Sequence, residues 1–201
     1  MVTLYTWFPS TPIEMVELGL LPDFGHSALQ VIDDLGKETY ASFWPGSTTI
    51  AGELTHHFVL PTSRYPATYL EEIDPHGHFM LRESERADKI EGLVEARILE
   101  AWEFLKSGSY DIRYWNCSDV TKLLILYAMD GAIFVRMQDA ARLTVSDMRA
   151  VGSLQDLRAV LRYLATSTFI DSRPDDVVRL ARVYNSVRAE AAGEQGSSPA
   201  P

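Results

Sequence analysis

The apolar residues of this 201-residue chain recur with two different periods, and the period changes once along the chain. "VTLYTWF" (2–8) is aromatic and β-branched without a breaker and is closed by Pro9 and Pro12, which predicts a strand. "HSALQVID" (26–33) alternates small and apolar residues and runs into the polar turn "DDLGK". "TYASFW" (39–44) resumes the strand pattern and stops at Pro45-Gly46, so the two segments form a predicted hairpin. "HHFVLP" and "GHFMLRE" are two further short strand candidates. Beyond them the spacing becomes three and four. "ERADKIEGLVEARILEAWEFLKSG" sets Ile90, Leu93, Val94, Ile98, Leu99, Trp102 and Leu105 on one helical stripe that stops near Gly108. "SDVTKLLILYAMDG" is almost wholly apolar and predicts a buried helix over 118–129, ended at Gly131. "SLQDLRAVLRYLAT" and "PDDVVRLARVYNSVRAEA" predict two more amphipathic helices, the second with Pro174 in its first turn. Strands that precede helices, rather than alternating with them, indicate an α+β protein. A single domain is expected over 1–192, with a core over 2–131, a helical extension over 132–192 and a disordered tail over 193–201, where "GEQGSSPAP" has no apolar face to bury.

The formal charge is −10 and no basic run exists, so a phosphate backbone would be repelled and no nucleic acid partner is expected. The single cysteine excludes an internal disulfide and a Cys-x-x-Cys metal motif. No apolar run approaches the roughly 18 residues that span a bilayer, so no transmembrane segment is expected. "MVTLYTWFPS" lacks a basic start followed by an apolar stretch, and therefore a secretory signal. These features predict a soluble protein, cytoplasmic in the cell that makes it, with export by a signal-peptide-independent route left open.

Two residues concentrate chemistry. Cys117, in "YWNCSDVTKLLILYAM", stands at the start of the predicted buried helix, where unpaired N–H groups and the helix dipole favour a thiolate. Asn116 beside it is suited either to cap that helix or to donate toward an oxyanion. His26 opens a strand immediately after Gly25 and is free to project toward another element. A catalytic cysteine meets its imidazole in space and not in sequence, so their separation is no obstacle. On local features alone, a small buried core cysteine and a structural histidine are the commoner reading.

"FGHSALQV", "YASFWPG" and "YDIRYWNCSDVTKLL" occur in the order of permuted papain-fold proteins, in which the histidine strand precedes the cysteine helix. Over residues 2 to about 131 the chain resembles the permuted NlpC-type hydrolases, their lecithin:retinol acyltransferase-like relatives and the permuted papain-fold deubiquitinating and desumoylating peptidases. It is also similar to domains of bacterial effector and polymorphic-toxin proteins. The resemblance implies a permuted papain-like fold, with a small antiparallel sheet packed on the cysteine-bearing helix and additional C-terminal helices. It implies a thiol-dependent hydrolase of the peptidase or amidase type, with Cys117 as nucleophile and His26 as general base. Ser42, within the "YASFWP" match, is the first choice for the orienting third member; Glu38, Tyr40 and Gln30 are alternatives, Gln30 because it shares a strand face with His26. No cofactor is implied. The implied substrates are a peptide, a peptidoglycan crosslink or a lipid, and the implied partner is an immunity or chaperone protein.

Two other classes stay open: a lipid acyltransferase or phospholipase with an apolar lip from Phe43, Trp44 and Trp115, and a non-enzymatic binding module. "HH" at 56–57 and "HGH" at 76–78 resemble metal ligands, but no acid or cysteine completes a set and no metal is expected. "FWPG" reads as core and turn or as an aromatic wall. "EEIDP" and "ESERADKIEG" read as solvated surface.

Overall fold

The fold is seen in a computed structural model, which describes residues 1–8, 25–45, 59–60, 63–77, 82–108, 110–111, 116–139 and 173–196. It is an α+β protein. Strands β1 (Val2–Trp7), β2 (His26–Ile32), β3 (Glu38–Ser42) and β7 (Arg86–Ile90) form a four-stranded antiparallel sheet in the order β3-β2-β1-β7. Two short pairs flank it: β4 (Trp44–Pro45) with β6 (Ser63–Arg64), and β5 (Val59–Leu60) with β8 (Tyr110–Asp111). The helices are α1 (Tyr69–Ile73), α2 (Glu95–Leu105), α3 (Cys117–Ala128), α4 (Gly131–Asp139) and α5 (Pro174–Gly196).

Strand alternation divides the sheet into two faces with different tasks. Val2, Leu4, Leu29, Val31 and Ala41 point to one face and join the main core with α2, α3 and α5. Every residue of α3 is buried, as its nearly continuous apolar sequence requires. Tyr5, Trp7, Ala28 and Tyr40 point to the other face, where Tyr69 and Ile73 of α1 cover them. Register places His26 opposite Trp7, and Ser42 opposite Ala28 on that same face.

The predicted hairpin is present as β2 and β3, and the predicted strand over 2–8 as β1. The long helix expected over 85–108 is two elements: Arg86–Ile90 is an edge strand paired with β1, and the helix begins at Glu95. Gly92 divides them, with a left-handed φ of 72° that no helix interior accommodates. Ile90 is still buried, but from a strand. Gly131 does not simply end α3. Met129 ends it in extended backbone, and Asp130 Oδ1 then accepts the Ala132 N–H at 2.8 Å to open α4. Helix α5 continues through Gly196 and not to 192, with Ala191 buried and Glu194 bridged to Arg136 at 2.8 Å, so 193–196 is helical. The helix expected over 153–166, the rest of the tail and most of the "HHFVLP" and "GHFMLRE" candidates lie outside the described residues; Val59–Leu60 of the former is a strand. Among the described residues no helix is long and apolar enough to cross a membrane.

Candidate active site

Gly25 turns the chain into β2 with a φ of 73°, a conformation that L side chains resist. His26 is therefore the first residue of its strand, and its ring stands at the end of the sheet, within reach of groups from both faces. From the α3 side comes Cys117. Asn116 caps that helix: its Oδ1 accepts from Ser118 N at 2.8 Å and Asp119 N at 3.1 Å, and the Asp119 carboxylate accepts from Asn116 N at 3.2 Å. This is a complete capping box, and it assigns Asn116 to the cap. Among the described residues, the Cys117 N–H is the first-turn donor of α3 left without an acceptor.

The thiol lies 4.0 Å from the Gly25 carbonyl, in the field of the Ser27 N–H, the Ser118 hydroxyl and the His26 ring. Both partners are buried, Cys117 to 5% and His26 to 4% exposure. Burial alone would push the thiol up, but His26 and the donors from Ser27 and Ser118 bring it below its ordinary value. Burial would likewise lower His26; the charges and hydrogen bonds of Cys117 and Glu72 override it and push the imidazole up to about 10.

From the other face comes Glu72, fully buried at 0% exposure. It corrects the expectation that "EEIDP" is solvated surface, which holds for Glu71 alone of that pair. Glu72 Oε1 lies 3.0 Å from His26 Nε2 and accepts from Trp44 Nε1 at 2.6 Å and from the Ser42 hydroxyl. Its Oε2 accepts from the Tyr40 hydroxyl. Burial pushes the carboxyl up, but His26, Ser42 and Tyr40 outweigh it and hold it below its ordinary value. Burial and the facing carboxylate push the Tyr40 phenol far up, so Tyr40 is a donor.

Ser42 lies 2.8 Å from His26 Nε2. Of the alternatives to it, Tyr40 reaches Glu72, Glu38 is exposed near the far end of β3, and Gln30 accepts from Tyr5 at 3.1 Å. Trp44 stacks on the His26 ring at a centroid distance of 4.5 Å, and Trp7 lies at 5.3 Å. Phe43 points into the main core at 1% exposure, so it forms no apolar lip; Trp115 lies outside the described residues. His76 is exposed in a turn, while His56, His57 and His78 lie outside the described residues. No three metal-ligating side chains converge among the described residues.

Glu72 is the member of this cluster that the reading of the sequence missed, although a signal is present. Thr68 Oγ1 accepts from Glu71 N at 3.1 Å, so "TYLEE" opens a helix. In a helix Tyr69, Glu72 and Ile73 fall at i, i+3 and i+4, and an acid between two apolar residues on one face is carried inward with them. Comparison with family models, with curated proteins and with solved structures finds no match for this chain.

Proposed function

We propose that this chain is a thiol-dependent hydrolase of the peptidase or amidase type, on a permuted papain-like scaffold, with Cys117 as nucleophile and His26 as its base. The observation that most supports this reading is a buried imidazole held between a buried carboxylate and the only thiol of the chain, at the start of a capped helix. Structural cysteines seldom have such surroundings, because a neutral core thiol needs neither an ion-paired imidazole nor hydrogen-bond donors.

In the proposed reaction the Cys117 thiolate attacks the carbonyl carbon of an amide or ester, and the carbonyl electron pair moves onto oxygen. The Cys117 N–H, without an acceptor among the described residues, donates to that oxyanion. His26, as imidazolium, gives its proton to the leaving amine or alcohol as the carbon–heteroatom bond breaks. Acylation removes the thiolate, the strongest influence raising the imidazole, and prepares His26 to take a proton from the water that hydrolyses the acyl-enzyme. An acyltransferase would differ only in the acceptor that replaces this water.

A small chloroacetamide probe, followed by intact mass and peptide mapping, tests the reading. The chain has one cysteine, so each adduct reports Cys117. The folded protein is expected to be labelled at neutral pH at least about tenfold faster than His26→Ala. A folded wild type that resists the probe, or reacts no faster than His26→Ala, overturns the reading.

A further inference from the structure

We propose that Tyr40, Ser42 and Trp44 are positioning residues that cage Glu72 as a permanent carboxylate, and that Glu72, so held, orients His26 toward Cys117. The orienting role rests on the reading of Cys117 as a nucleophile; the cage does not.

An ionised carboxylate only accepts, with about four lone-pair positions. Glu72 faces four donors: the Tyr40 hydroxyl on Oε2, and the Ser42 hydroxyl, Trp44 Nε1 and His26 Nε2 on Oε1. A protonated Glu72 would have to donate to the Tyr40 or Ser42 oxygen and displace that hydroxyl's hydrogen, or face an N–H with its own hydrogen. Ser42 is equally committed. Its hydrogen goes to Glu72, while its oxygen lies 2.8 Å from His26 Nε2 and 3.1 Å from Trp44 Nε1. Ser42 can therefore only accept from His26, so Nε2 carries a proton and Nδ1 is the nitrogen left for the thiol. This gives Ser42 a different task from the one its sequence position suggests. It bridges the imidazole to the acid and does not replace the acid.

The cage draws on several elements, which makes it rigid. Tyr40 and Ser42 come from β3, Trp44 from β4, Glu72 from α1 and His26 from β2, while Cys117 approaches from α3. The other titratable groups nearby are phenols: Tyr5 of β1 and Tyr69 of α1 stack at 4.3 Å beside Tyr40. Among the described residues, no second carboxylate or cation touches Glu72. Inside this aromatic shell the effective dielectric is low, so the single charge of Glu72 acts strongly on His26.

Titration of the His26 ring by NMR in the full chain, with the tautomer read from the ring nitrogen shifts, tests the cage. Tyr40→Phe deletes one donor and keeps the ring, and Trp44→Phe deletes one donor and leaves a smaller aromatic ring beside His26. Each leaves the Glu72 charge less neutralised and is expected to raise the His26 midpoint, whereas Glu72→Gln removes the charge and is expected to lower it by about one pH unit or more. Ser42→Ala replaces whichever of these variants does not fold. The chloroacetamide rate at pH 6 relative to pH 9 is expected to fall in Glu72→Gln and not in the two donor-deleting variants. A His26 midpoint unchanged or lowered in Tyr40→Phe and Trp44→Phe, or a wild-type ring protonated at Nδ1 alone, overturns the proposal. A His26 titration that shifts in the expected directions beside an unreactive wild-type thiol upholds the cage and overturns the proposed function.

Discussion

The Glu72 carboxylate lies 3.0 Å from His26 Nε2, and Glu72 is the charged side chain buried most completely among the described residues. A buried carboxylate is tolerated only with its charge compensated, and here an imidazole, two hydroxyls and an indole provide that compensation. The strength of the arrangement is also its vulnerability, because removal of the acid leaves all four donors facing an empty space.

Glu72→Ala is therefore expected to destabilise the fold by about 3–5 kcal/mol, the range for breaking a buried ion pair. Glu72→Gln keeps an acceptor oxygen and is expected to cost less, about 1–3 kcal/mol. Urea unfolding of both variants gives the comparison. Equal and small losses would mean that water already reaches the carboxylate.

The pH dependence of stability gives a second expectation, with opposing signs from two groups. The folded His26 pKa is raised from 6.5 to about 10, so its contribution is complete below pH 6.5 and disappears as pH rises toward 10. The folded Cys117 pKa is lowered from 9.0, so its contribution is complete above pH 9.0 and disappears as pH falls through the folded value. From the folded Cys117 value, or from 6.5 where that value lies lower, up to 9.0 the two offset each other in the wild type. Cys117→Ser removes the second contribution, while Glu72 still raises His26. Its stability is expected to decline from pH 6.5 upward, by at most about 1.4 kcal/mol per pH unit, while the wild type stays level. Parallel curves for the two proteins from urea unfolding would show that Glu72 alone cannot hold the imidazolium.

Parts of the site were legible in the sequence because they depend on local features. His26 after a turn glycine and Cys117 after a capping asparagine both mark the starts of elements, and the fold brings those two starts together. Glu72 was not legible in that way. Paired acids before Ile-Asp-Pro look solvated, and only the helical grouping of Tyr69, Glu72 and Ile73 shows which acid turns inward. The same limit applies to β7. Ile90 and Leu93 fit a helical stripe as spacing, but pairing with β1 and the left-handed Gly92 outweigh that local preference. Helix α4 was missed because Gly131 suggested a stop, whereas the Asp130 side chain makes it a start.

Gly92 itself yields a prediction. Its φ of 72° is strained for any L residue, and an added Cβ would collide with the Arg188 side chain at Nε. Arg188 is half-exposed and flexible enough to move, at the expense of its 3.0 Å bridge to Glu91, so the backbone strain is the larger part. Gly92→Ala is expected to lower stability by about 1–2 kcal/mol without altering Cys117 labelling. An unchanged melting temperature would mean that the junction between β7 and α2 relaxes to another conformation.

Asn116 separates the structural from the electrostatic part of the cysteine's surroundings. Its Oδ1 satisfies two N–H groups of α3, at 2.8 and 3.1 Å, directly beside the thiol. Asn116→Ala removes the cap and is expected to cost about 1–2 kcal/mol, with slower labelling because the start of the helix frays. Asn116→Asp caps equally well, so its stability should stay within about 1 kcal/mol of wild type, apart from repulsion by the Asp119 carboxylate that closes the capping box. It also sets a negative charge next to a thiol whose lowered pKa depends on His26 and nearby donors. That charge disfavours the thiolate, so labelling at neutral pH should slow several-fold while labelling above pH 9 approaches the wild-type rate. Melting temperature and the pH profile of labelling, measured on the same two variants, decide the matter. If Asn116→Asp labels at the wild-type rate across the whole range, Cys117 does not react as a thiolate stabilised at this helix start, and the nucleophile reading loses its electrostatic support.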